Sequence, residues 1–112
     1  MINYDNKTFK AISSSPNGDV NDETIFEYQQ EGDIVSATYS GGNIMFGHLI
    51  AIVNKDGHLN MRYHHLNNNG ELMTGICYST PEIMPDGKIR LHESWRWTSG
   101  DESEGESVIE EV

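Results

Sequence analysis

What most constrains this chain is a ladder of turn signals between Tyr39 and Trp97. Runs of strand length alternate with short breaks, and each break carries a glycine. Tyr39-Ser-Gly-Gly-Asn-Ile44 leads into residues 46–53, Asn54-Lys-Asp-Gly57 into 58–65, and Asn67-Asn-Asn-Gly70 into 71–78. Glycine, alone or after asparagine or aspartate, supplies the positive φ angles that tight hairpins require. Consecutive runs should therefore pair antiparallel with their sequence neighbours, and the segment reads as a β-meander.

Extending the pattern both ways gives eight strands. Residues 1–6 read as a loose N-terminus and 7–13 as a first strand whose inward face is not assigned. Ser14-Ser-Pro-Asn-Gly-Asp19 is a loop by its turn-forming residues. Alternation in 23–30 sets Thr24, Phe26 and Tyr28 on one face, and Glu31-Gly32 turns that strand into 34–40. Asp86-Gly87 leads into Ile89, Leu91, Trp95 and Trp97. Residues 99–105 read as an acidic mobile loop, and 106–112 as a last strand facing inward through either Val108 and Val112 or Ile109. At 112 residues the chain is one domain, 1–112, with room for one core.

Register follows from the turns. If each holds two residues, Tyr28 opposes Val35, Ala37 opposes Phe46, His48 opposes Tyr63, Phe46 opposes His65, Met61 opposes Ile76 and Tyr78 opposes Trp95. Side chains alternate between faces, so a slip of one residue would invert a strand, yet this register keeps one face apolar throughout. Eight short-linked strands bury such a face most simply by closing on themselves, which also removes exposed edges. The expected fold is all-β: a single eight-stranded antiparallel up-and-down meander closed into a barrel. A two-sheet sandwich ranks second, and an open sheet completed by a partner third.

Charge narrows the partners. With 18 acidic against 7 basic residues and a formal net charge of -11, the chain has no Lys/Arg cluster for nucleic acid or an anionic membrane. Hydrophobic residues make up 36%, which suits an antiparallel sheet with one wet face. No apolar stretch approaches the about 20 residues of a membrane span, and no signal-peptide pattern is present. Cys77 is the only cysteine; an intrachain disulfide is excluded and a cytoplasmic location is expected.

The combination Tyr39-Ser-Gly-Gly-Asn-Ile-Met-Phe-Gly47, Ser79-Thr-Pro-Glu82, Gly87-Lys-Ile-Arg-Leu-His-Glu-Ser-Trp-Arg-Trp97 and Gly105-Glu-Ser-Val-Ile-Glu-Glu-Val112 resembles a family of small bacterial proteins of unknown function. Its members often carry the label N-acetylglutamate synthase, and the resemblance implies that label here. It brings no catalytic residues with it. The residues themselves argue against acetyl transfer: Gln29-Gln-Glu-Gly-Asp-Ile34 has no helix to follow it and would set Glu31 and Asp33 beside any pyrophosphate. More loosely, the architecture resembles the barrels of avidins and lipocalins, whose members bind small molecules inside; the expected fold is thus calycin- or avidin-like.

The expected inner face carries aromatic walls with a few hydrogen-bonding groups, the usual make-up of a small-ligand cavity. The candidate ligand-binding residues are Tyr28, Tyr39, His48, Tyr63, His65, Tyr78, Glu93, Trp95 and Trp97. Glu93 falls between Leu91 and Trp95 on that face, opposite Thr80, and a buried carboxylate needs a partner. The alternative is a filled barrel with no ligand, dimerising through an outer apolar patch of Ile34, Met45, Leu49, Ala51, Val53 and Met73. No histidine pair has the i, i+2 spacing that aims two rings at one ion, and Cys77 on the outer face has no histidine partner. No catalytic residue, metal site or cofactor is expected, and the reading leans away from an enzyme.

Overall fold

Three hairpins of this protein are closed by the same four-residue turn. In the computed structural model, which describes residues 2–112, these turns are Asn54–Gly57, Asn67–Gly70 and Met84–Gly87. In each, the glycine amide donates to the carbonyl of the first residue, at 3.0, 3.0 and 2.8 Å. The first residue's own amide then donates to the carbonyl one place beyond the glycine. The three glycines have φ between +77° and +87°, where any side chain would be strained.

These turns join a closed barrel of eight antiparallel strands in chain order. The strands are β1 Lys7–Ser14, β2 Ile25–Glu31, β3 Ile34–Gly41, β4 Ile44–Val53, β5 Leu59–Asn67, β6 Leu72–Ile83, β7 Ile89–Trp97 and β8 Glu104–Glu111. The ring closes where β1 meets β8, Ala11 opposite Ile109. Both are buried, as is Phe9, so β1 faces inward through Phe9 and Ala11, and β8 through Ser107 and Ile109.

The register departs from a uniform two-residue rule, and the departures can be followed strand by strand. The β2–β3 turn centres on Gly32-Asp33, so Tyr28 opposes Ala37 rather than Val35. That shift of two leaves the faces unchanged. Between β3 and β4 a bulge separates the Gly41–Ile44 pair from the Tyr39–Gly47 pair. Ile44 points in, then Met45 and Phe46 both point out, and the rest of β4 is inverted, as an extra residue in one strand must do.

Leu49, Ala51 and Val53 therefore lie in the core, while Phe46 is 61% exposed. The wider Asn54–Gly57 turn inverts the parity once more, which returns Met61, Tyr63 and His65 to the interior as expected. The turn at Asn67–Gly70 inverts β6: Gly75, Cys77 and Ser79 face in, and Thr74, Ile76 and Tyr78 face out. Met84–Gly87 restores β7, with Ile89, Leu91, Trp95 and Trp97 inside.

Both ends of the barrel are covered. Residues 2–6 are not a loose lead-in: Tyr4 is 0% exposed, its hydroxyl donates to the Gly57 carbonyl, and its ring packs beside Phe9 and Tyr28. Its amide donates to Gln30 Oε1 at 2.9 Å, and Gln30 N donates to Asp5 Oδ1 at 2.9 Å. Residues 99–105 are likewise shorter as a loop than expected, since β8 begins at Glu104. The opposite end is closed by the long β1–β2 connection, which lies over His65 and Trp97.

Candidate functional site

Glycines shape the upper interior. Gly47 lies opposite Tyr39, Gly75 opposite Tyr63, and Gly105 opposite Trp95. In each pair the aromatic ring lies across the glycine, where a Cβ would overlap it. This is the aromatic-over-glycine pairing that lets a small barrel hold large side chains. It brings Phe26, Tyr39, Tyr63, His65, Trp95 and Trp97 into one cluster. Trp95 and Trp97 meet edge to face at 5.4 Å, Tyr63 and Trp97 at 5.8 Å, and Phe26 stacks on Tyr39 at 5.0 Å.

Among these rings lies a cavity of about 50 Å³, lined also by Leu49, Met61, Cys77, Glu93 and Ser107. Below it the barrel is packed solid by Tyr4, Phe9, Tyr28, Val35, Leu59 and Leu91, all fully buried. Tyr28 Oη is buried there with no hydrogen-bond partner among the described residues.

Glu93 sits at the junction of these two halves. Its strand neighbours are Ser79 on β6 and Ser107 on β8, and each hydroxyl donates to one carboxylate oxygen at 3.0 Å. The partner is thus Ser79, not Thr80, because β6 is inverted. Loss of water around the carboxyl pushes its pKa up to about 6, against the lowering effect of the two serines and Cys77. Burial also pushes the Cys77 thiol and the Tyr4, Tyr28, Tyr39 and Tyr63 hydroxyls well up, with Glu93 adding to each shift. All five stay neutral at ordinary pH.

The roof is the β1–β2 loop. Asp19 Oδ2 is 2.8 Å from His65 Nε2, and Tyr39 Oη is 2.9 Å from His65 Nδ1. A neutral His65 protonated on Nε2 donates to Asp19 and accepts from Tyr39, so one tautomer satisfies both contacts. Trp97 Nε1 donates to the Asn17 carbonyl at 3.0 Å, and Gly18 lies so near Trp95 that a Cβ there would meet the ring. Asn17 Nδ2 in turn donates to Ser103 Oγ and to the Glu104 carbonyl, each at 2.9 Å.

Of the nine candidate ligand residues, Tyr39, Tyr63, His65, Glu93, Trp95 and Trp97 line the cavity, and Tyr28 lies in the packed floor. Two do not belong. His48 is on the outside against His64, and Tyr78 is exposed with its hydroxyl 3.1 Å from His58 Nδ1. The β4 bulge displaces the first and the β6 inversion the second. Cys77 moves the other way, from the expected outer face to the cavity wall.

The outer patch changes equally. Ile34 and Met45 are exposed, Met73 packs half-buried against the core, and Leu49, Ala51 and Val53 are interior. The exposed apolar residues of β3 and β4 are thus Ile34, Met45, Phe46, Ile50 and Ile52, with Ile34 directly opposite Ile52. Asp19, Cys77, Ser79 and Ser107 escaped the sequence reading; Asp19 had no signal beyond a polar loop.

A closed eight-stranded antiparallel barrel in up-and-down order, with aromatic rings lining its upper interior and a packed lower half, defines the class of small up-and-down barrels. A family model described as Avidin-like protein matches residues 2–112, and the chain belongs to that family. Comparison with curated proteins gives no match. Among the described residues no group of three or more His, Cys, Asp or Glu is placed to hold a metal ion. No helix among them is long and apolar enough to cross a membrane.

Proposed function

We propose that this protein is a non-enzymatic binding module that takes a small molecule into the upper half of the barrel. The observation that carries the reading is the aromatic-walled cavity of about 50 Å³ beneath a hydrogen-bonded loop. A water needs roughly 10–15 Å³ on this measure, and an apolar cavity of about 150 Å³ takes a benzene. The space beneath the loop therefore suits a ligand of a few heavy atoms, and a larger one needs residues 15–23 to lift. The buried thiol of Cys77, held near Ser79 and Glu93 and kept protonated, supports a wall residue rather than a nucleophile. The acidic balance of the chain supports a partner other than nucleic acid or an anionic membrane.

Screening a metabolite library by the fluorescence of Trp95 and Trp97 tests this. A ligand is expected to change that emission saturably. Asp19→Ala, which frees the loop from His65, is expected to speed association about tenfold, since a hydrogen bond to a charged group is worth about 1.5–3 kcal/mol. If no compound alters fluorescence or melting temperature in either protein, the reading fails.

A second reading concerns assembly, favoured by the row of Ile34, Ile50 and Ile52 on the outer wall, 54%, 52% and 66% exposed. Such a strip supports a two-fold dimer through β3 and β4. Sedimentation is expected to give a dimer for the wild type and a monomer for Ile52→Lys. A monomeric wild type across the micromolar range would end that reading.

A further inference from the structure

The cavity has a donor and acceptor imbalance that points to the chemistry of its occupant. Glu93 and Asp19 both line it, and neither Lys nor Arg does. Asp19 is engaged by His65 and Asn67 at the roof. Among the described residues Glu93 has no Lys or Arg partner and receives two hydroxyl donors, Ser79 and Ser107, besides the Cys77 thiol. An ionised carboxylate offers about four acceptor positions, so part of its capacity is unmet. Among the described residues, the cavity wall leaves acceptor positions on Glu93 unfilled and supplies no Lys or Arg to balance its charge.

The walls complete the case. A cation is attracted to the faces of tryptophan and tyrosine rings within about 6 Å, and the attraction grows when water is excluded. Here Tyr63, Trp95 and Trp97 are packed against one another beside the carboxylate. An anionic occupant would add repulsion, and a neutral donor would fill acceptor positions of Glu93 but leave its charge unbalanced. A compact N–H-bearing cation would fill its open acceptor positions, neutralise it, and present its alkyl surface to the rings.

Resting on the proposed interior binding, we infer that the cavity selects a small organic ammonium ion, with its N–H groups on Glu93 and its carbon substituents against Trp95, Trp97 and Tyr63. The cavity volume of about 50 Å³ limits the ligand to the scale of methylammonium or ethylammonium while the roof loop is closed. Larger primary amines fit the same chemistry with residues 15–23 displaced. The charge of the whole chain, -11, acts in the same sense by concentrating cations at its surface.

The test titrates methylammonium and ethylammonium, with methanol, ethanol and acetate as neutral and anionic counterparts, at pH 8 and constant ionic strength. Trp emission and melting temperature are read for the wild type, Glu93→Gln and Glu104→Gln. Glu104 is an exposed carboxylate of β8 and controls for binding to the acidic surface. The ammonium ions are expected to change emission saturably and raise the melting temperature of the wild type and Glu104→Gln. Glu93→Gln is expected to bind them at least about tenfold more weakly, as loss of a charge-assisted contact requires. Equal binding of the alcohols, or ammonium binding unchanged in Glu93→Gln, would overturn the ligand class while leaving an interior binding site standing. Absence of any response to all five probes, in emission and in melting temperature, would overturn the ligand class; interior binding itself fails only if the metabolite screen is silent too.

Discussion

A Gly47→Ala variant is expected to melt roughly 10 °C below the wild type, a loss of about 2 kcal/mol. Gly47 stands opposite Tyr39, whose ring lies where an alanine Cβ would have to go. The ring cannot swing away freely: its hydroxyl contacts His65 Nδ1 at 2.9 Å and its face stacks on Phe26 at 5.0 Å. Overpacking a fixed core typically costs about 1–3 kcal/mol. Alanine would otherwise stabilise this position by about 0.4–1 kcal/mol through the unfolded chain, because Gly47 is not among the positive-φ glycines. A double-mutant cycle isolates the cause. In a Tyr39→Leu background the alanine should be neutral or mildly stabilising, so the two changes couple strongly. A penalty of the same size with and without the ring would show that the clash is not the reason.

That pairing also explains how much of the molecule could be seen in its sequence. The meander order of β2 to β7 follows from Gly32, Gly42, Gly57, Gly70 and Gly87, because a positive φ at a hairpin is a local demand that leaves a local mark, whereas the two outer strands and barrel closure rest on strand-length runs and on the one apolar face that has to be buried. The faces of β2, β3, β5 and β7 are also legible. Those of β4 and β6 are not. Met45 and Phe46 share the outer side through a bulge, and a bulge leaves no compositional trace in an apolar run such as Ile44-Met-Phe46. Two inversions in succession restore β5 and β7, so Tyr63, His65, Trp95 and Trp97 came out inside even though the turns between them hold four residues rather than two.

Site residues divide along the same line. Glu93 is legible because strict alternation in Leu91-His-Glu-Ser-Trp95 leaves it no other face. Ser79 and Ser107, which hold its carboxylate, depend on cross-strand register and could be named only with the sheet assembled. Asp19 and Asn17 reach His65 and Trp97 from residues 46 and 80 positions away in the chain. Sequence shows a polar loop there, and only the tertiary fold shows a roof. Gly75 reads as one position in the run 71–78 and Gly105 as the end of the loop 99–105, yet the two seat Tyr63 and Trp95.

Replacing Glu93 by glutamine is expected to stabilise the protein at pH 8 relative to pH 4.5, opening a melting-temperature gap over the wild type of up to roughly 10 °C. The cause is the carboxyl's position in the folded state, where removal from water raises its pKa from 4.5 to about 6. The folded protein thus holds this proton more tightly than the unfolded chain does. Its contribution to stability is fully present below about pH 4.5 and is lost as pH rises through about 6. A change of that size corresponds to at most about 2 kcal/mol. Glutamine cannot ionise, so it keeps at pH 8 what glutamate keeps only in acid. Cys77, Tyr4, Tyr28, Tyr39 and Tyr63, which share the interior, stay neutral over this range, and the Asp19–His65 contact enters both proteins equally. The informative quantity is therefore the change in the gap between the two pH values rather than the gap at either one. A gap that does not vary with pH would mean that the Glu93 carboxyl is not held in an unfavourable charged state. If the ammonium ligand proposed for the cavity is present at saturation, the gap at pH 8 should close from the wild-type side, because the cation supplies the partner that the folded chain leaves out.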